Sequence, residues 1–141
     1  MALLTVTAAD VRPLNGAVVR RAQAAETQAV GQCVYISSAS GNVPIVTKAI
    51  ATAVATSDLY GIIVAGDPSK PGSTTIAAGD AVDVCVFGPV AGVAGTAGAC
   101  AFVSDTAGSF GDAVGTKSSI AGFMESATVL FIRPVQAARA A

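Results

Sequence analysis

Gly31-Gln32-Cys33-Val34-Tyr35-Ile36-Ser37, running on into Ser38-Ala39-Ser40-Gly41-Asn42-Val43, has a counterpart further along the chain. There Gly98-Ala99-Cys100-Ala101-Phe102-Val103-Ser104 runs on into Asp105-Thr106-Ala107-Gly108-Ser109-Phe110. Both blocks read glycine, any residue, cysteine, a small residue, an aromatic, a β-branched residue and serine, then a glycine turn and an apolar residue, with no gap between them. Each reads as a hairpin: a strand with the cysteine and the aromatic on one face, a Ser/Gly/Asx turn, and a return strand. The flanks extend the match. Gly16-Ala17-Val18-Val19 precedes the first block and Gly79-Asp80-Ala81-Val82-Asp83-Val84 the second. Tyr60-Gly61-Ile62-Ile63-Val64-Ala65 and Ala121-Gly122-Phe123-Met124-Glu125-Ser126 follow them. Order kept across several elements points to two similar halves, at about 15–66 and 74–135, joined near Asp67-Pro68-Ser69-Lys70-Pro71-Gly72-Ser73.

Alternation supplies further strands. Ala81 to Phe87 puts Val82, Val84 and Val86 on one face and Asp83, Cys85 and Phe87 on the other. Thr128 to Ile132 reads as a strand stopped at an edge by Arg133-Pro134. Short β-branched strands punctuated by Gly, Pro, Asp and Ser predict an all-β fold, a small barrel or sandwich. At most one short helix is expected, over Lys48 to Thr56, and the Thr and Val residues there weaken it. Residues 1–14 read as an extended N-terminal arm: an apolar strand from Leu3 to Thr7, then Asp10-Val11-Arg12-Pro13, with a pairing partner expected outside the domain. Residues 15–141 form the single β domain, since 141 residues give one core and not two.

The composition points to an assembly. Hydrophobic residues make up 52 % of the chain and charged residues only 12 %, about half the usual charged share. A domain so poor in charge is expected to cover much of its surface with partners. The 8 basic and 9 acidic residues are scattered, singly except for Arg20-Arg21. No basic stripe exists to neutralise phosphates, so nucleic-acid binding is not expected. Cys33, Cys85 and Cys100 are odd in number and widely spaced, and the chain has no histidine. They are expected as reduced, small buried hydrophobes, which suits synthesis in a cytoplasm. The N-terminus has neither the basic nor the long apolar region of a signal peptide. Val84 to Ser104 carries no charge and is long enough to span a bilayer. Its glycines, its proline and its strand-like start argue against a helix, so no membrane segment is expected.

No catalytic constellation emerges. Without histidine there is no Ser–His or Cys–His nucleophile pair, and the usual transition-metal ligand is missing. Asp80 and Asp83 read as solvated residues beside a turn and on a strand face. Gly92-Val93-Ala94-Gly95-Thr96-Ala97-Gly98 lacks the spacing and the Lys-Ser/Thr of a phosphate loop and reads as a flexible connection. Cys33 and Cys100 hold equivalent repeat positions with no cationic activator nearby in sequence. Arg20-Arg21 reads as a solvated pair that could also meet an acidic protein surface. No catalytic residue, cofactor or metal is expected.

The repeated units, with the connecting run Ile76-Ala77-Ala78-Gly79-Asp80-Ala81-Val82-Asp83-Val84 and the closing Ala127-Thr128-Val129-Leu130-Phe131-Ile132-Arg133-Pro134, resemble the head decoration (cement) proteins of tailed bacteriophages. The resemblance covers roughly residues 15–135. It implies a β-barrel or β-tulip-like domain that binds the major capsid protein on the outside of the expanded head, commonly as a homotrimer at three-fold positions, and braces it against internal pressure. On that reading Leu3, Leu4, Thr5, Val6 and Thr7 add a strand to a capsid-protein sheet, and Arg12 and Arg20 orient the contact. Another virion part, such as a tail-tube or fibre-associated β domain, is the alternative, and an enzyme or carrier domain a more distant one.

Overall fold

The computed structural model describes residues 3–70 and 73–135. The alternating run that starts at Ala81 does not stop at Phe87. It continues through Gly88-Pro89-Val90 as one eleven-residue strand, which we number β9 (Ala81–Ala91). The uncharged stretch weighed above as a membrane span is therefore strand and turn, and among the described residues no helix is long and apolar enough to cross a bilayer.

Every other large element is placed by β9. Its first half pairs antiparallel with β3 (Val18–Ala24) on one edge and β7 (Gly61–Ala65) on the other. Next to β7 lies β5 (Cys33–Ser40), which forms a hairpin with β6 (Val43–Lys48). β6 then meets β3 in parallel, Gln23 opposite Ile45 and Ala24 opposite Val46, closing a five-stranded barrel. The second half of β9 leaves the barrel and carries another sheet. There it pairs with β14 (Val129–Val135), followed in order by β13 (Ile120–Met124), β11 (Cys100–Val103) and β12 (Phe110–Gly111). Two minor pairs lie outside these sheets: β1 (Thr5–Val6) with β10 (Val93–Ala94), and β4 (Gln28–Ala29) with β8 (Thr75–Ile76).

The core is continuous through both sheets. Val34, Val46, Ile62, Val82 and Val84 are fully buried in the barrel region, and Val90, Val103, Phe110, Leu130 and Ile132 in the other. Burying each such side chain contributes roughly 1.5–3 kcal/mol. The two regions are stitched by backbone. Cys33 N–H donates to Gly108 O, Gly108 N–H to Ala49 O, Ala51 N–H to Ser104 O and Lys117 N–H to Ala51 O.

Several expectations change in the folded chain. The barrel-side face alternation breaks at Cys85. Val18 lies opposite Phe87 but Val19 opposite Cys85, so Val86 is an extra, bulged residue and Cys85 is buried beside Val84. The repeated cysteine does not take one environment. Cys33 is buried with Val34, whereas in β11 Ala101 and Val103 are buried and Cys100 is half-exposed. The 104–119 segment covers Cys33, whose Sγ donates to Ser109 O at 3.5 Å.

The helix expected over Lys48 to Thr56 shrinks to one turn, α1 (Val54–Ser57). Lys48 ends β6, and the Thr56 hydroxyl donates to Ile50 O at 2.8 Å, competing with helical hydrogen bonds. Besides it, Ala8–Asp10 makes a 3-10 turn. Arg133-Pro134 does not end β14. Ile120 pairs with Val135 and Gly122 with Ile132, which leaves an extra residue on β14, and Pro134 is tolerated in that bulge. The connection expected to be flexible at Gly92–Gly98 contains β10.

The turn at Gly88 is the position that lets β9 serve both sheets. Its φ is +112°, and a Cβ there would lie 2.6 Å from Ala17 Cα. Gly61 is needed for a different reason: a Cβ there would run into Cys85 O. Gly88→Ala is therefore expected to destabilise the fold by about 2 kcal/mol or more, while Gly41→Asn, at a φ of +61° with open space around it, costs under about 1 kcal/mol. Denaturant midpoints at equal slope measure both.

Candidate functional site

Several of the groups able to do chemistry are taken up by the fold. Among the described residues no cluster of His, Cys, Asp and Glu could hold a metal ion. The three thiols are free. Burial pushes the Cys33 thiol up to about 12, and burial also raises Cys85. Both are therefore neutral thiols and poor nucleophiles. The acids expected as solvated are in ion pairs: Asp83 accepts from Arg21 Nε at 3.0 Å and Asp80 from Lys70 Nζ at 2.8 Å. Asp67 accepts from the Ser69 N–H and hydroxyl, which hold its carboxyl below the usual range. Asp105 caps Thr116 in the same way, at 2.9 Å and 2.8 Å.

The sequence-derived contact residues fall in two places. The N-terminal segment is extended, and its backbone is paired within the chain. Thr5 and Val6 lie opposite Ala94 and Val93, Leu3 bridges to Gly111, and Leu4 N–H donates to Phe110 O at 3.0 Å. Leu4 and Val6 pack against the core, while Leu3, Thr5 and Thr7 are exposed. β1 has β10 on one edge, and the opposite edge is met by β12 at Leu3 and Leu4 and carries no strand pairing at Thr5 and Val6 among the described residues. β2 (Arg12–Pro13) joins β9 at Ala91 and Val90. Thr7, Asp10 and Arg12 come together around an open groove of about 260 Å³ with Ala91 to Ala94 and Thr128. Arg20 does not join them. It lies opposite Val84, seven β9 positions from the partner of Arg12 and so roughly 20 Å away along the strand.

A second surface was not legible in the sequence. On the outer side of the β9–β14–β13–β11 sheet, Phe131 stacks on Phe123 with ring centroids 5.2 Å apart, and Phe87 meets Phe131 edge-on at 5.2 Å. Register aligns Cys100, Phe123, Phe131 and Pro89 in one row across four strands, and Leu14 N–H donates to Pro89 O at its end. Phe87 remains 46 % exposed, Phe123 37 % and Val135 50 %. Aromatic clusters left in water mark contact surfaces. The sequence did place Phe87, Phe123 and Phe131 on strands. What brings them side by side is the register across β9, β14 and β13.

An all-β domain with a filled core, two buried neutral thiols and exposed apolar strands suits a structural, surface-binding role. The family comparison agrees. Residues 7–139 match the model of the phage structural cement proteins (E217 gp24/Pam3 gp6), and the chain belongs to that family. No curated protein matches the chain in sequence. Membership gives it a structural role in stabilising a phage capsid.

The thiol assignment is directly measurable. A thiol-reactive dye at neutral pH is expected to label Cys100 fast and Cys33 and Cys85 only after unfolding. Because the folded Cys33 value is raised, the native state keeps its proton where the unfolded chain loses it. Stability is thus complete below pH about 9, the ordinary thiol value, and falls as pH rises toward about 12. Denaturation curves across that range should show a smaller fall for Cys33→Ala.

Proposed function

We propose that this chain binds the outer surface of the expanded phage head and holds neighbouring capsid subunits together, with the major capsid protein and further copies of itself as its partners. The observation that carries the proposal is the cement-family match across residues 7–139. A charged share of only 12 % supports it, because such a surface suits contact with protein. A homotrimer is the proposed unit, following the resemblance found in the sequence. Binding only the mature shell stabilises that shell by mass action, and repeated weak contacts add as avidity.

The proposed capsid contact keeps the N-terminal arm, refined by its burial. Leu4 and Val6 hold the arm to the domain, and Leu3, Thr5 and Thr7 face outward. The part of that edge left unpaired beyond Leu4 can take a strand from the capsid protein, with Arg12 and, at a distance, Arg20 as orienting charges. The domain reading belongs to the same proposal: an arm over 1–14 and one β domain over 15–141, descended from copies at about 15–66 and 74–135. It is supported by the matching strand-and-return units that begin at Cys33 and Cys100. The chain is made in the bacterial cytoplasm and ends in the virion.

Quantitative mass spectrometry of purified DNA-filled virions tests the placement. Near-equimolar copies relative to the major capsid protein are expected. A handful per particle would move the chain to a tail or vertex, and absence would remove it from the virion. In a head-binding assay, Arg12→Glu is expected to lower occupancy about five- to tenfold, an effect near 1 kcal/mol, and Lys117→Glu to leave it unchanged.

A further inference from the structure

We propose that the exposed aromatic face of β9, β14, β13 and β11 is a pairing surface for the same face of a second copy. The two copies are related by a two-fold axis lying in the interface along the row Cys100–Phe123–Phe131–Pro89. This goes beyond the cement role and does not depend on it.

Three observations select a second copy as the occupant. The first is apolar continuity. The row runs on into half-exposed Leu14 at its end and is flanked by half-exposed Val129 on one side and by exposed Phe87, Val18 and Val135 on the other. A core of aromatics with few charges is the composition of an interface centre.

The second is charge. Arg133 and Glu125 are the charged residues bordering the two grooves of this face. Arg133 lines the one with Cys100, Phe123 and Val135, and Glu125 the one with Leu14, Pro89 and Val129. Both are exposed, and neither has an ion-pair partner among the described residues.

The third is their placement. Arg133 lies two positions along β14 from Phe131 in one direction. Glu125 lies level with Val129, two positions in the other, since its N–H donates to Val129 O. Rotation about the row exchanges these two levels. The Arg133 guanidinium then faces the Val129–Glu125 corner of the second copy, within reach of its carboxylate, and the reciprocal pair forms on the other side. The face is thus complementary to itself. An acidic or a basic partner would match only one of its ends. A two-fold contact cannot close a trimer, so in the proposed cement it joins one copy from each of two neighbouring trimers.

Cys100 gives the test a native reporter, because it sits on the proposed axis row and the two other thiols are buried. The purified full-length chain, without capsid, is treated with a short bis-maleimide and run on a denaturing gel. A two-chain product is expected, and Cys100→Ser should abolish it. Arg133→Glu alone and Glu125→Arg alone each place like charges together at both reciprocal contacts and should cut the yield about tenfold. The double variant restores the pairing with signs exchanged and should recover the product. Circular dichroism confirms the fold of each exposed-site variant. Absence of the two-chain product, or equal yields from the single and double variants, would overturn the proposal. Because no capsid is present, failure here leaves the virion placement standing, and a virion lacking the chain leaves the pairing result standing.

Discussion

β9 has to satisfy two sheets with one backbone. Ala81 to Phe87 completes a barrel, Gly88 to Ala91 starts a second sheet, and on each edge the partner changes at about the same place. On one edge β3 gives way to β2, and on the other β7 gives way to β14. The constraint that makes this possible is steric: at Gly88 the chain of Ala17 passes too close for any side chain. The bulge at Val86 just before it lets Cys85 turn into the core while Phe87 stays outside. Barrel closure, the position of the arm and the placement of the aromatic row all depend on this short segment.

The same arrangement explains how a chain of so little charge is divided between core and surface. The fully enclosed apolar positions are filled by Val, Ile, Leu, Ala, one Phe, one Met and two Cys. The remaining aromatics of β9, β14 and β13 form a half-exposed layer instead of a second core. Acids and bases are spent locally, in Arg21–Asp83, Lys70–Asp80 and the turn caps of Asp67 and Asp105. Those pairs set turns and strand register. They leave the aromatic face bordered by Arg133 and Glu125 and the N-terminal edge bordered by Arg12, two surfaces of different character.

The all-β class, the glycine-led strands and the hairpin at Cys33 to Lys48 were legible in the sequence, because period-two alternation and turn residues are local signals. The cement resemblance was legible too, and the family match bears it out. Three local readings were changed where distant contacts intervened. The short helix expected over Lys48–Thr56 forms only as the turn Val54–Ser57, because a Thr56 hydroxyl bond and the backbone stitching of Ala49 and Ala51 take up its start. The stop at Arg133-Pro134 was absorbed by a bulge. The shared environment of the repeat cysteines was lost because the 104–119 segment covers Cys33 and nothing equivalent among the described residues covers Cys100. The arm residues were correctly seen as a short extended segment, but their pairing with β10 and Gly111 is a contact across the whole chain.

By itself the sequence determined what each short stretch prefers: extended backbone from Val, Ile and Thr, reversal at glycine, no histidine-based chemistry, and too little charge for a bare surface. The tertiary structure alone decided which of those strands are neighbours. Side-chain direction alternates along a strand, so one bulge or one shifted partner exchanges inside for outside. Such shifts at Val86 and near Pro134 are set by backbone pairing with residues far away in the chain. They put Cys85 in the core and leave the Phe87, Phe123 and Phe131 side chains together at the surface, an outcome no local pattern contains.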